Sequence, residues 1–244
     1  MCLGGLRDKM NWFLRVFCSC LLLLVCACAT KQSEQARRGV KESGFLGDYS
    51  MLREGGEGEP LLVYQNPEAD WPSYHQILLA PVAYYGGPDT YPKGVTRNDL
   101  QGLVNHFYYI LYNDLAEDYQ MVDEPGPNTL RLQVAITSVK EASAAMDTVS
   151  VVAPYIINPI RNLAGNVSGE SPLTGAVSIE AKITDGVSGE LLYAAVDRRV
   201  GERTVAPSTK RWVDVEAILY YWGDLSRYKL CKMRGGVDCS KPEQ

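Results

Sequence analysis

The sequence is poor in the residues from which most catalytic and metal sites are built. Among 244 residues there are only two histidines, His75 and His106, and neither has a second His or a Cys at the spacing of metal ligands. The HExxH, GxSxG, phosphate-loop and GxGxxG motifs are all missing. We therefore expect two surface or capping histidines, no metal ligand, no cofactor and no catalytic residue.

Positive charge and long apolar runs are also scarce. The chain has 24 Lys and Arg against 29 Asp and Glu, so a nucleic-acid partner is not expected. The apolar run at residues 16–27 is too short for a membrane-spanning helix, which needs about 20 residues. It has the length of the hydrophobic region of an export signal, and Arg7, Lys9 and Arg15 supply the positive charge that precedes such a region.

The cysteines indicate how this export signal ends, because most of them precede residue 29. The sequence Val25-Cys26-Ala27-Cys28 resembles a bacterial lipobox, which implies cleavage before Cys28 and lipidation of Cys28. The alternative is ordinary cleavage after an Ala-x-Ala-like site, which would leave a free thiol. The next residue is Ala rather than Asp, which in such lipoproteins favours the outer membrane. Met1 and Met10 are both compatible with the start of translation.

Composition divides the chain into a signal peptide, a tether and one domain. Residues 1–27 are the expected lipoprotein signal peptide. Residues 28–42 contain few apolar side chains and cannot bury a core, so we expect a tether. Residues 43–235 are expected to form a single α+β lipoprotein domain, followed by a tail at 236–244. An acidic domain is not attracted to an anionic surface, so the lipid on Cys28 would hold it at the membrane.

Periodicity predicts the elements of this domain. Apolar residues spaced by three and four predict an amphipathic helix over 98–118, with Thr96 and Asp99 spaced as in a capping box, and a second helix over 210–230. The strands predicted from apolar runs or alternation cover residues 77–82, 119–123, 130–137, 177–184 and 190–200. The expected fold class is α+β, with a mixed, mainly antiparallel sheet of about five strands and two helices on one face.

Several motifs of this domain resemble those of one known family. They are SGFLGDYSML at 43–52, Tyr74 before the first predicted strand, Asp185-x3-Gly189, Ala195-Val196-Asp197-Arg198-Arg199, and Trp212 close to Asp214. Together they resemble the bacterial lipoprotein family known only as domain of unknown function 3313, over residues 43–230. The resemblance implies a Gram-negative envelope lipoprotein and carries no established activity.

Two carboxylates near the predicted hairpin are the best candidates for a polar site. Asp185 lies in the turn, and Asp197 and Arg198 lie on the following strand; paired carboxylates are able to perform acid–base chemistry. Because no second catalytic residue type accompanies them, we favour structural or binding roles for these residues and for Trp212. An Asx turn at Asp185 and a buried ion pair or turn-ordering bond at Asp197 are expected. The expected cation partners of Asp197 are Lys182 and Arg131.

The remaining cysteines, Cys231 and Cys239, bracket a short loop that contains two glycines. An oxidising compartment favours a structural disulfide between them, and closing so short a loop would stabilise the domain by about 2–3 kcal/mol. A redox or metal pair is the alternative, although the C-x-x-C spacing is missing.

The function stays open between several classes. Aromatic residues cluster at 84–85, 108–112 and 220–222, as core packing or a partner-binding surface would require. We expect a lipid-anchored outer-membrane lipoprotein that faces the periplasm, is not an enzyme, and binds an envelope protein partner as an assembly module. The alternative is a carrier that holds a small apolar ligand between the sheet and residues 149–160 of an insert at 142–172. A hydrolase that uses Asp185 or Asp197 is the third hypothesis.

Overall fold

A computed structural model describes residues 41–56, 58–86, 95–140, 175–201 and 212–242. The expected signal peptide, the lipidation site at Cys28 and the insert at 142–172 lie outside the described residues. Within the described ranges, no helix is long and apolar enough to cross a membrane.

Two long helices are present close to their predicted positions. Helix α1, Arg97–Ala116, begins after Thr96, and the predicted capping box is formed: the Thr96 side chain accepts from the Asp99 N–H, and the Asp99 carboxylate accepts from the Thr96 N–H. Helix α2, Val213–Met233, follows Trp212 and carries Asp214 and Glu216 in its first turn. Negative side chains at this end of a helix are favourable because they face the positive end of its dipole.

One mixed sheet contains all the strands of the described residues. They are β1 Arg53–Glu54, β2 Leu62–Gln65, β3 Gln76–Leu79, β4 Ala83–Tyr84, β5 Gln120–Met121, β6 Thr129–Lys140, β7 Ala176–Asp185 and β8 Leu191–Val200. Their spatial order is β1-β2-β8-β7-β6-β3-β5, and β4 pairs with β6 further along the same edge as β3. The pairs of β3 with β5 and of β3 and β4 with β6 are parallel, and the others are antiparallel.

The α+β class and the mainly antiparallel sheet are therefore confirmed, but the expected number of about five strands is wrong. The described residues contain eight strands. Three of them, β1, β2 and β4, were not predicted, because they have only two to four residues and alternation cannot show over so short a length. The strand predicted over 77–82 ends at Leu79 as β3, and β4 begins beyond the predicted range at Ala83. Pro81 lies between the two strands, where it has no N–H to give to a ladder.

Both helices pack on the same face of the sheet, which we call the helix face. Phe107 and Leu111 of α1 and Trp222 of α2 meet side chains from β6, β7 and β8 there. Strand residues alternate between faces, so odd-numbered residues of β7 and β8 point to the helices. Even-numbered residues of these strands point to the opposite side, which we call the outer face.

Candidate functional site

Asp197 lies on the helix face of β8 and is only 7% exposed. Its Oδ2 accepts a hydrogen bond of 2.8 Å from the Trp222 indole Nε1, and its Oδ1 accepts one of 3.3 Å from the Leu61 N–H. Arg199 Nε lies 3.6 Å from Oδ2. Burial raises the pKa of Asp197, and the Trp222 hydrogen bond and the Arg199 charge oppose that rise. The carboxylate is thus held in place by groups of the fold.

The expected cation partners of Asp197 were wrong. Asp197 pairs with Ile179 on the helix face, whereas Lys182 is an even-numbered residue of β7 and lies on the outer face. There the Lys182 Nζ donates to the Phe45 carbonyl at 3.2 Å and lies 4.9 Å from the centroid of the Phe45 ring. Arg131 is exposed at the outer face. The cation beside Asp197 comes instead from its own strand.

Arg198 and Arg199 point to opposite faces, so they serve different contacts. The Arg199 guanidinium lies 3.4 Å from the centroid of the Tyr221 ring, a cation–π contact between β8 and α2. Arg198 is buried on the outer face and donates to Ser178 Oγ at 3.1 Å. The structure therefore separates Asp197 from Arg198, which the sequence placed in one candidate group.

Asp185 and Trp212 lie apart from Asp197. The Oδ1 atom of Asp185 accepts from the Val187 and Ser188 N–H groups at 3.0 and 2.7 Å, so the expected Asx turn is present. Its Oδ2 accepts from the Tyr74 hydroxyl at 2.9 Å. The hydrogen bonds that Asp185 accepts, led by that from the Ser188 N–H, lower its pKa. Burial, followed by the hydrogen bond to Asp185, raises the pKa of Tyr74 to about 12. Trp212 packs against the core just before α2.

A cavity of about 70 Å³ lies beside Asp197, between α2 and the helix face. Ala181 and Ala195, which are direct partners in the β7–β8 ladder, contribute small side chains to its wall. Trp222 and Leu225 line it from α2. This cavity is not the one assumed by the carrier hypothesis, whose residues 149–160 lie outside the described ranges.

The first seven residues of the SGFLGDYSML motif, residues 43–49, cross the outer face, and we call this segment the strap. Glu180 of β7 is fully buried beneath it and accepts hydrogen bonds from the Ser43 N–H at 3.0 Å and the Tyr49 hydroxyl at 2.6 Å. Gly44 and Gly47 have φ angles of +89° and +85°, a conformation that favours glycine. The sequence singled out the motif but not Glu180, which resembles any polar residue of a half-buried strand.

Three tyrosines on the helices are exposed, and we call them the tyrosine surface. Tyr109 and Tyr112 of α1 are 64% and 39% exposed, and Tyr220 of α2 is 53% exposed. His106, half-buried on α1, contacts the Tyr220 ring edge-on with centroids 5.7 Å apart, which joins the aromatic groups of the two helices. Core packing explains Trp222 but not these three residues.

Cys231 and Cys239 come together at the end of α2. Their Cα atoms are 5.8 Å apart and the sulfur atoms are placed in a disulfide. The intervening Gly236 is closely packed, since a Cβ there would lie 2.6 Å from Cys231 Sγ. In the described part of the chain, no group of three or more His, Cys, Asp or Glu side chains is arranged to hold a metal ion.

Comparison with known families gives a match over most of the chain. The family model described as "Protein of unknown function (DUF3313)" matches residues 41–226, from the strap to the middle of α2. A comparison with curated proteins found no match.

The solved structures that resemble this chain include several remote likenesses. The PelC dodecamer from Paraburkholderia phytofirmans is 9% identical with a TM-score of 0.35, and the alignment covers 65% of this chain and 91% of that one. A DUF330 protein from Xanthomonas campestris is 10% identical with a TM-score of 0.38, covering 70% and 91%. A DUF4136 protein from Bacteroides thetaiotaomicron is 12% identical with a TM-score of 0.30, covering 66% and 92%. Likenesses this remote assign no function.

Proposed function

The chain belongs to the DUF3313 family of proteins of unknown function, and from that premise we propose that it is a lipid-anchored outer-membrane lipoprotein whose domain binds another envelope protein without catalysis. The tyrosine surface is the observation that carries the binding role. Tyrosine is enriched at protein interfaces, where its ring is buried and its hydroxyl still finds a partner.

The position of the tyrosine surface relative to the tether supports this role. The strap enters the domain on the outer face, where it contacts Glu180 and Lys182, whereas the tyrosine surface lies on the helices that cover the other face. A lipid at Cys28 would be joined to the domain through the strap. The tyrosines are therefore on the side of the domain opposite the attachment of the tether, where an envelope protein can reach them.

Charge near the tyrosine surface indicates the chemistry of the partner. Asp114 of α1 and Asp224 of α2 lie close together: burial and then the Asp224 charge raise the pKa of Asp114, and the Arg227 charge opposes that rise. Arg227 also pairs with Asp118, so a further cation near these like charges would be favourable. A partner that presents Lys or Arg beside an apolar patch suits this surface.

The polar groups of the interior support a non-catalytic role. Asp197 is hydrogen-bonded to Trp222 and Leu61, Glu180 to Tyr49 and Ser43, and Asp185 to its own turn. A catalytic acid or base has to reach the substrate proton. Each of these carboxylates is engaged by groups that hold the fold together.

The lipid anchor is tested by a Cys28→Ser variant. Export without acylation moves the protein from the membrane fraction to the soluble envelope fraction, because about 0.8 kcal/mol per buried CH₂ is lost with the acyl chains. A Ser substitution at Cys26 is the matched control and leaves the protein in the membrane fraction. Sedimentation of the Cys28→Ser variant with membranes after a salt wash would show that something else anchors it.

The binding role is tested by crosslinking in intact cells followed by mass spectrometry. A Tyr109→Ser, Tyr220→Ser double variant is expected to lose at least about 90% of the envelope partner that the natural chain captures, while its melting temperature changes little because both side chains are exposed. Val187→Ser is the control, since Val187 is also exposed but lies in the β7–β8 turn. Equal capture of the partner by the natural chain, the double variant and the Val187→Ser variant would refute a role of the tyrosine surface.

A further inference from the structure

The cavity beside Asp197 results from a particular row of the sheet. The ladder pairs Val134 with Ala181 and Ala181 with Ala195, so two small side chains stand next to each other under α2. The neighbouring rows carry Ile183 with Tyr193 and Ile179 with Asp197. Strand interiors favour β-branched and aromatic residues, and a valine at either alanine position would fill this space.

Solvent-sized molecules reach the cavity from one side. Ala181 is only half-buried although it lies in the middle of a sheet covered by helices. Ser226, Lys229 and Met233 of α2 are half-buried and line the margin, together with Pro60 from the β1–β2 connection. The space is therefore open between the end of α2 and this connection.

The polar group at the cavity has spare capacity to accept hydrogen bonds. Oδ2 of Asp197 is engaged by Trp222 and faces Arg199, whereas Oδ1 accepts from the Leu61 N–H over a long 3.3 Å. The Arg198 N–H also donates to this carboxylate and lowers its pKa. A carboxylate oxygen accepts about two hydrogen bonds. The Arg199 charge balances that of Asp197, and apolar walls penalise an added charge, so a neutral donor suits this position.

We propose that this cavity is a binding site for a neutral, narrow aliphatic group that bears a hydroxyl, with the hydroxyl donating to Asp197 Oδ1. The size of the cavity sets this class. A dry protein cavity of about 150 Å³ holds benzene, and this one has about 70 Å³, which suits an unbranched chain of a few carbons or the hydroxyl-bearing end of a longer one. The site is separate from the tyrosine surface, so either can fail without the other.

The test uses two isomers, 1-butanol and diethyl ether, which have the same atoms but differ in the hydroxyl donor. The methyl resonances of Ala181 and Ala195 in the full chain are followed during titration with each. Saturable shifts of both methyl resonances are expected. The affinity for 1-butanol should be about tenfold higher than that for diethyl ether, because the alcohol makes one more hydrogen bond to a charged acceptor. No saturable shift would overturn the site, and equal affinity of the two isomers would overturn the hydroxyl contact with Asp197.

Filling the cavity provides the second test. Ala195→Val is expected to abolish the shift of the Ala181 methyl on addition of 1-butanol. Ala217→Val adds the same volume on an exposed position of α2 and is expected to leave binding unchanged. Undiminished binding by Ala195→Val would overturn the proposal. If that variant does not fold, the comparison of the two isomers on the natural chain still decides between the outcomes.

Discussion

Trp222 and Asp197 are joined by a 2.8 Å hydrogen bond between the indole Nε1 and the carboxylate Oδ2, at a position where both side chains are buried. This bond fixes the position of α2 along β8 and the rotation of α2 about its axis. Apolar packing alone specifies both less strictly. Tyr220 precedes Trp222 by two residues and is therefore directed away from the sheet. The position of Tyr220 in the tyrosine surface thus depends on a buried polar contact.

Replacing Trp222 by Phe is expected to destabilise the domain by about 1–3 kcal/mol, because a buried carboxylate oxygen loses its donor. This corresponds to a fall in melting temperature of about 2–12 °C for a domain of this size. Tyr220→Phe, which removes an exposed hydroxyl on the same helix, is the control and should melt with the natural protein. A Trp222→Phe variant as stable as the natural chain would mean that the hydrogen bond contributes nothing.

The stability of the domain should depend on pH through Asp197. Burial raises its pKa above the ordinary value of 3.8, so the folded state keeps a proton that the unfolded chain has already lost. The contribution of this group is complete below pH 3.8 and is lost as the pH rises through the folded pKa. The melting temperature of the natural protein minus that of Asp197→Asn should therefore decrease from about pH 4 towards neutrality. A difference in melting temperature that increases over this range would show that the pKa of Asp197 is lowered rather than raised.

Helices α1 and α2 approach each other closely at Gly223. A Cβ at this position would overlap Asp114 Oδ2 and lie 2.6 Å from Ile110 Cγ2. Gly223→Ala is expected to lower stability by about 1–3 kcal/mol, because the helices must separate. Gly102→Ala on α1 is the matched control, since nothing lies within 4 Å of its Cβ. Alanine there should raise stability by about 1 kcal/mol through helix propensity.

The cysteine pair predicts a redox-dependent stability. Peptide mapping of exported protein without reductant should show Cys231 linked to Cys239, and reduction should remove about 2–3 kcal/mol of stability. A Cys231→Ser, Cys239→Ser variant should have the stability of the reduced protein and be unaffected by reductant. Free thiols at both positions in oxidised protein would contradict the disulfide and favour a redox or metal pair.

The long elements could be predicted because their signals are local. Periodicity over 98–118 placed α1 within two residues, and the spacing of Thr96 and Asp99 identified its capping box. Strands β6, β7 and β8 have ten or twelve residues, enough for alternation to show. Strands such as β1 and β4 exist because a neighbouring strand pairs with them, and two residues contain no periodic signal.

The candidate site was less predictable because its contacts are not local. Asp197 was recognised as a buried carboxylate that needs partners, but Trp222 and Leu61 reach it from α2 and from the residue before β2. Which of two faces a lysine occupies depends on the register of the ladder, and this is why Lys182 was assigned to Asp197 in error. Glu180 could not be recognised as buried before the strap was placed over it.

The central claim is that the domain binds an envelope protein through the tyrosine surface. Photo-crosslinking in intact cells tests it most directly, with benzoylphenylalanine in place of Tyr109 in one strain and of Val187 in another. Both positions are highly exposed, but Val187 lies in the β7–β8 turn. The account predicts one discrete adduct with an envelope protein from position 109 and none of it from position 187. The same adducts from both positions, or none from position 109, would contradict it.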